Sequence, residues 1–146
     1  MEEYFDALAQ AFAEYRQDLE DFQKKSRPTD GLLGFGRSLK NDSCHDRFDE
    51  KVEKIIGGLC AASPAPDTAE RAAAILLTPE YDRPWPVSAE WMLRAAERHA
   101  LGLIPFLTPA AAERLLKAYG ARYKRWDRLP AQNTVFEALR KRAKEK

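Results

Sequence analysis

Apolar side chains near the start of the chain recur at alternating intervals of three and four residues, and this spacing constrains the fold more than any other feature. The run comprises Phe5, Leu8, Phe12, Tyr15, Leu19 and Phe22. Residues three or four apart share one face of an α-helix, so the spacing predicts an amphipathic helix over residues 2–25. Its apolar face must be covered by the rest of the chain or by a second copy, so a dimer through this helix is one expectation.

The same periodicity returns along the remainder of the chain. It predicts five more helices, over residues 43–59, 67–78, 88–101, 109–129 and 131–144. Thr108 followed by Pro109 is a strong start signal for one of them, because proline at the first helical position has no N–H to leave unpaired. The only strand-like apolar run, residues 103–107, contains Pro105, which argues against a strand.

The predicted helices are separated by two segments with unfavourable helix composition. Residues 27–42 are rich in glycine, and residues 79–87 contain Trp85 between Pro84 and Pro86. Glycine and proline disfavour regular helix, so both segments are predicted to be irregular connectors. At 146 residues the chain has the length of one domain. We therefore expect an all-α, single-domain bundle of about six helices spanning residues 1–146.

Composition places the chain among globular proteins. Hydrophobic residues make up 45% of it and charged residues 32%, and no apolar run approaches the ~18 residues that span a bilayer. Cys44 and Cys60 are the only cysteines, too few for a disulfide framework, and the acidic N-terminus lacks the basic region of a secretory signal. These observations predict a cytoplasmic protein that does not act in a membrane.

Charge is divided unevenly between the two halves of the chain. Residues 1–70 carry 9 Lys/Arg and 15 Asp/Glu, a net charge of −6, and residues 71–146 carry a net charge of +7. A basic half can bind nucleic acid or a membrane surface. It can equally attract the acidic half, within one subunit or across a dimer. We favour the second interpretation, because the opposing charge is already present in the same chain.

The region from Gly31 to Asp49 has the densest set of polar and glycine residues. Residues 31–38 match the spacing of a phosphate-binding P-loop, but Arg37 stands where lysine belongs, and a helix rather than a strand is predicted before it. An irregular connector is therefore the better interpretation. Because Trp85 sits between rigid prolines, we expect it to lie over a gap between helices. If it were exposed beside Phe35, the two rings would mark a binding cleft.

Three residues are candidates for a metal site. His45 and Asp49 are four residues apart, so their side chains lie on one flank of a helix. His99, the only other histidine, is predicted to face inward from another helix. Together they could hold a catalytic metal, which needs three or four ligands. The alternative is that His45 orients the nearby loop and His99 is a hydrogen-bonded core histidine.

Basic residues mixed with aromatic ones near the C-terminus are typical of nucleic-acid surfaces. The cationic candidates are Arg122, Lys124, Arg125 and Arg128. Tyr119, Tyr123 and Trp126 continue the apolar face of the predicted 109–129 helix. We therefore expect these rings in the core and the cations on a solvated face.

No complete catalytic signature emerges, so a binding module is the preferred functional interpretation. We expect it to bind a protein partner or a second copy of itself, without a cofactor. The predicted contact residues are Phe35, Arg37, His45, Asp49 and Trp85. The first alternative is a metal-dependent hydrolase that uses His45, Asp49 and His99. The second is nucleic-acid binding through the basic C-terminal half.

Overall fold

The computed structural model describes residues 2–25, 35–81 and 83–145, and describes side chains only at 2–22, 43–81 and 83–145. Within these residues the chain forms six α-helices and no strand. They are α1 (Glu2–Lys25), α2 (Phe35–Ala61), α3 (Pro66–Leu77), α4 (Val87–Ala96), α5 (Pro109–Arg122) and α6 (Pro130–Lys144). Short 3-10 helices cover Glu97–Gly102, Ile104–Phe106 and Arg125–Asp127. The predicted all-α bundle of about six helices is confirmed.

The first two helices form an antiparallel pair. Tyr4 near the start of α1 donates a hydrogen bond to the Gly58 carbonyl near the end of α2, and Asp18 farther along α1 pairs with Arg47 near the middle of α2. The apolar seam of α1 is buried in this interface. Five of its members have exposed fractions between 0% and 9%: Phe5, Leu8, Tyr15, Leu19 and Phe22. This seam is therefore covered within the chain, and a dimer stays a prediction.

The 3-10 helix Glu97–Gly102 lies at the centre of the remaining helices. It contacts α2, α3, α4 and α6, and α6 in turn packs against α5. This position brings Glu97 into the interior, where the residue is 2% exposed. The helix predicted over residues 88–101 keeps α-helical geometry only to Ala96 and continues as the 3-10 helix Glu97–Gly102.

One of the two predicted irregular connectors is irregular in the structure, and part of the other is helical. Residues 79–81 and 83–86 are irregular, and α4 begins at Val87 directly after Pro86. The prediction that residues 27–42 are irregular is wrong for residues 35–42, which form the first turns of α2. Glycine, asparagine and serine cost only about 0.5–1 kcal/mol each in a helix, and a helix that has nucleated gains a hydrogen bond with each residue added. Residues 27–34 lie outside the described part of the chain.

The fifth helix is shorter than predicted. Thr108 caps its start as expected, with its hydroxyl accepting a hydrogen bond from the Ala111 N–H at 3.1 Å. The helix ends at Arg122, and Tyr123 adopts extended backbone geometry with φ −127° and ψ 116°. Tertiary hydrogen bonds hold this turn, since the Tyr123 hydroxyl reaches Glu97 at 3.0 Å. Trp126, predicted to lie in the core, is 79% exposed.

None of the helices in the described ranges combines the length and apolar character needed to cross a lipid bilayer.

Candidate functional site

Two of the three predicted metal ligands meet in the folded chain. The His99 Nε2 atom lies 2.8 Å from one oxygen of Asp49, and Arg98 donates a hydrogen bond to the other oxygen at 2.6 Å. The Asp49 side chain is 19% exposed and that of His99 is 11% exposed. This cluster joins α2 to the 3-10 helix at the centre of the fold.

The electrostatics of Asp49 identify the cluster as an ion-paired one. Burial by itself would raise the pKa of its carboxyl group. The hydrogen bonds from Arg98 and His99, together with their charges, outweigh that effect and hold the pKa below its ordinary value of 3.8. Asp49 therefore carries a negative charge at neutral pH, and it ties two elements together rather than presenting a free carboxylate.

His45 contacts a different residue, Tyr15. Its Nδ1 atom hydrogen-bonds to the hydroxyl of Tyr15 on α1, and the two rings meet edge to face at 5.7 Å. Among the described residues, no group of three or more His, Cys, Asp or Glu side chains is arranged to hold a metal ion. A metal-dependent hydrolase that uses His45, Asp49 and His99 stays a prediction. The side chains of Phe35 and Arg37 lie outside those described, so that part of the predicted contact surface is likewise a prediction.

Trp85, in the irregular 79–86 segment, packs against α1, and its predicted place over a gap between helices stays a prediction. Trp85 is half-buried against Phe12, Tyr15 and Tyr81, with ring centroids 5.6–6.4 Å apart. The guanidinium carbon of Arg16 lies 4.1 Å from the indole centroid, and Arg16 also donates a hydrogen bond to the Pro84 carbonyl at 3.0 Å. The indole therefore has aromatic and cationic partners on α1.

A buried carboxylate at Glu97 is the feature that sequence reasoning missed. Its two oxygens accept hydrogen bonds from the Tyr119 hydroxyl at 2.8 Å, the Gln132 amide at 2.9 Å and the Tyr123 hydroxyl at 3.0 Å. Burial raises the pKa of Glu97 above its ordinary value, and these three donors and the nearby Arg122 act against the rise. Glu97 adjoins the apolar stripe of its helix, but nothing in the local sequence names its partners.

Three large apolar side chains are exposed in this part of the molecule, and we call them the aromatic face: Val87 and Trp91 on α4, and Trp126 on the 3-10 helix Arg125–Asp127. Their exposed fractions are 85%, 62% and 79%. Val87, Trp91 and Arg94 stand at positions i, i+4 and i+7, so they share one stripe of α4. Arg94 donates a hydrogen bond to the Asp127 carbonyl, which brings the turn that carries Trp126 to the same stripe.

The four cations proposed for nucleic acid divide into two pairs. Lys124 and Arg125 are exposed beside Trp126, and the Lys124 ammonium lies 5.7 Å from the indole centroid. Arg122 instead donates to the Leu77 carbonyl, and Arg128 donates to the Tyr123 carbonyl at 3.2 Å while stacking on a core ring. Only the first pair is placed to meet a ligand at the aromatic face.

Comparison of the chain with protein-family models, with curated proteins and with solved structures gives no match.

Proposed function

We propose that the protein is a binding module that recognises a segment of a partner protein through the aromatic face, and that this segment carries apolar and acidic side chains. The observation that supports the proposal is the exposure of Trp91 and Trp126, at 62% and 79%. Large exposed aromatic side chains that cluster on one surface are typical of interaction sites. Tryptophan is also among the residues most enriched at the energetic centres of protein interfaces.

The geometry of α4 favours a protein segment as the ligand. Its inner stripe, which includes Ala89, Met92 and Ala96, is buried at 0–6% exposure and already fixes the helix to the core. Val87 and Trp91 are therefore not required for packing. Burial of apolar surface stabilises a protein or a complex by about 25 cal/mol per Å². An indole has a large apolar area, so a partner that covers an exposed tryptophan gains this free energy on binding.

Two exposed cations beside Trp126 favour an acidic partner, although Asp127 and Glu90 are also exposed next to Trp126 and Trp91. Lys124 and Arg125 are exposed beside Trp126. The acidic side chains of the N-terminal half are partly committed elsewhere, since Glu2 pairs with Arg71 and Glu20 pairs with Arg83 at 2.7 and 2.8 Å. These pairs support the interpretation that the two halves attract each other within one subunit. Carboxylates near the apolar anchors of a partner would be attracted to the two exposed cations.

Selection from a random peptide library displayed on phage tests the proposal. Wild-type protein is the target, and a Trp91→Ala/Trp126→Ala variant is used for counter-selection. We expect enriched peptides with two apolar residues and neighbouring Asp or Glu, whose affinity declines as salt is added, because charge pairs at the rim are screened. Failure to enrich any sequence that distinguishes the two targets would contradict the proposal.

A second candidate function, binding of single-stranded nucleic acid, is favoured by one observation. The exposed Trp126 ring stands beside Lys124 and Arg125, an arrangement in which a base can stack while cations contact phosphates. A fluorescent oligothymidylate separates the two functions. Nucleic-acid binding would depend on Trp126 and on both cations but not on Val87 or Trp91. A partner segment would require all three members of the aromatic face.

Cys44 and Cys60 support a reducing compartment, the cytoplasm, as the site of action. Both thiols are free, and burial raises the pKa of each above its ordinary value of 9.0. Such thiols are poorly reactive at neutral pH. Cell fractionation followed by immunoblotting tests this location, and recovery of the protein in an oxidising compartment would contradict it.

A further inference from the structure

A cavity of about 350 Å³ lies between the irregular 79–86 segment and α4, and its lining includes none of the three side chains of the aromatic face. Its walls include Tyr81 and Trp85 from that segment, Leu93 and Arg94 from α4, and Arg122 and Tyr123 from the end of α5. Apolar walls with a few polar groups are typical of small-molecule sites, and this volume is at the lower end of their range. A compact ligand is therefore the class to consider.

Two guanidinium groups line this cavity and both are held in place. The guanidinium carbons of Arg94 and Arg122 each lie 4.9 Å from the centroid of the Tyr123 ring. Arg94 donates a hydrogen bond to Gln132 at 2.8 Å, and Arg122 lies 3.7 Å from a carboxylate oxygen of Glu97. Because these contacts already restrict both side chains, ligand binding costs little additional side-chain entropy.

Two residues of the cavity wall carry a buried donor nitrogen that has no acceptor in the described part of the chain. The buried Nε1 atom of Trp85 and the buried Nε atom of Arg94 have no hydrogen-bond acceptor among the described residues. A buried donor without an acceptor destabilises the folded state. No other buried side-chain nitrogen or oxygen in the described part of the chain lacks a partner, so the cavity collects both cases.

The acidic side chains beside the cavity limit the charge of the ligand. Glu97 already accepts three hydrogen bonds from protein donors, so it does not need a ligand donor. Glu90 lines the cavity but is exposed, where water screens its charge. The cavity has two arginines and two glutamates. A ligand with one negative charge is therefore accommodated better than a ligand with two.

From this arrangement we infer that the cavity binds a small organic monocarboxylate with a flat apolar body. The carboxylate would accept hydrogen bonds from Arg94 and Arg122, since guanidinium and carboxylate form strong charge-assisted pairs. The body would lie against Tyr81 and Leu93. Tyr81 and Trp85 meet edge to face at 5.6 Å, which leaves ring surface for a planar group. This site is separate from the partner-binding function proposed above.

Two-dimensional ¹H–¹⁵N NMR of the wild-type protein tests the inference directly, because each of its 3 tryptophans gives one indole N–H signal. The probes are benzoate, its uncharged isostere benzamide, and the dianion phenyl phosphate, each added at millimolar concentration. Trp85→Phe identifies the Trp85 signal, and the signals of Trp91 and Trp126 are internal controls. We expect benzoate to shift the Trp85 signal most, and benzamide and phenyl phosphate to bind at least about tenfold more weakly.

A matched pair of variants then tests the charge requirement by calorimetry. Arg94→Gln should weaken benzoate binding by about tenfold or more, whereas Lys117→Gln on the exposed face of α5 should leave it unchanged. The wild-type titration does not depend on Arg94→Gln being able to fold. An unmoved Trp85 signal with benzoate would overturn the inference, as would equal binding of benzamide. A shift confined to Trp91 and Trp126 would also overturn it.

Discussion

The Tyr119 hydroxyl donates a hydrogen bond to the Glu97 carboxylate at 2.8 Å in the interior of the bundle, where the two residues are 0% and 2% exposed. Gln132 on α6 donates to the same oxygen, and Tyr123 donates to the other. One acidic side chain thus connects the central 3-10 helix to α5 and α6. Because the Tyr119 and Gln132 donors are buried, they have no solvent to replace this acceptor.

Replacement of Glu97 by alanine should therefore destabilise the protein strongly. The change leaves the Tyr119 hydroxyl and the Gln132 amide without an acceptor, and we expect a loss of about 3 kcal/mol in the free energy of unfolding. Urea denaturation followed by circular dichroism measures it. Glu137→Ala, at an exposed position on α6, is the control and should change stability by less than about 0.5 kcal/mol. Equal effects of the two substitutions would contradict the role given to Glu97.

The pH dependence of stability should change when Glu97 becomes glutamine. Burial raises the folded pKa of Glu97 above its ordinary 4.5, so the folded state binds this proton more tightly than the unfolded state does. The stability that the protonated group contributes is present below the unfolded pKa and is lost as pH rises through the folded pKa. Glutamine does not titrate. The stability of Glu97→Gln relative to wild type should thus increase as pH rises above 4.5, and a constant difference would contradict the raised pKa.

Asp49→Asn should show the opposite pH dependence. Burial alone would raise the folded pKa of Asp49, but hydrogen bonds from Arg98 and His99 lower it below 3.8. The stability that the ionised Asp49 contributes is therefore present above the unfolded pKa and is lost as pH falls through the folded pKa. We expect the variant to be about 1 kcal/mol less stable at neutral pH, after allowance for solvent screening. That difference should shrink in acid. The exposed Asp46→Asn is the control, and a deficit that persists unchanged below the folded pKa would contradict the ion-pair account.

Gly57→Ala should stabilise α2. A Cβ atom at this exposed helical position has no atom within 4 Å, so the substitution removes backbone entropy from the unfolded chain without a clash. We expect a gain of about 0.5–1 kcal/mol, measured by thermal or urea unfolding. Gly102→Ala is the comparison, because its Cβ would lie 3.3 Å from the Cys60 sulfur, and it should gain less or lose stability. The reverse order would contradict the packing described for these positions.

Sequence spacing predicted the helices well where packing and periodicity agree. The seam of α1 and the stripe of α6, with Val135, Phe136 and Leu139, are buried as expected. The spacing failed at Trp126, which continues the seam of α5 in the sequence although the helix ends at Arg122. Periodicity describes which residues would share a face if the helix continued. It does not describe the hydrogen bonds to distant residues that end the helix.

The candidate site was predictable only in part for the same reason. Residue type points to His99 and Asp49, but the contact between them joins residues 50 positions apart, and helical spacing within either segment cannot specify it. The partner of His45 is on α1. Nothing in the sequence distinguishes Trp91, because an exposed aromatic residue next to a buried stripe differs from a core residue only in the tertiary structure.

The affinity of a phage-selected peptide for Trp91→Ala tests the proposed function most directly. Because Trp91 is 62% exposed, we expect the variant to unfold at a temperature close to that of the wild type and to bind the peptide at least about tenfold more weakly, measured by fluorescence polarisation. The conservative Trp91→Phe variant should retain part of the affinity. Undiminished binding by a folded Trp91→Ala protein would contradict the assignment of the aromatic face as the partner-binding surface.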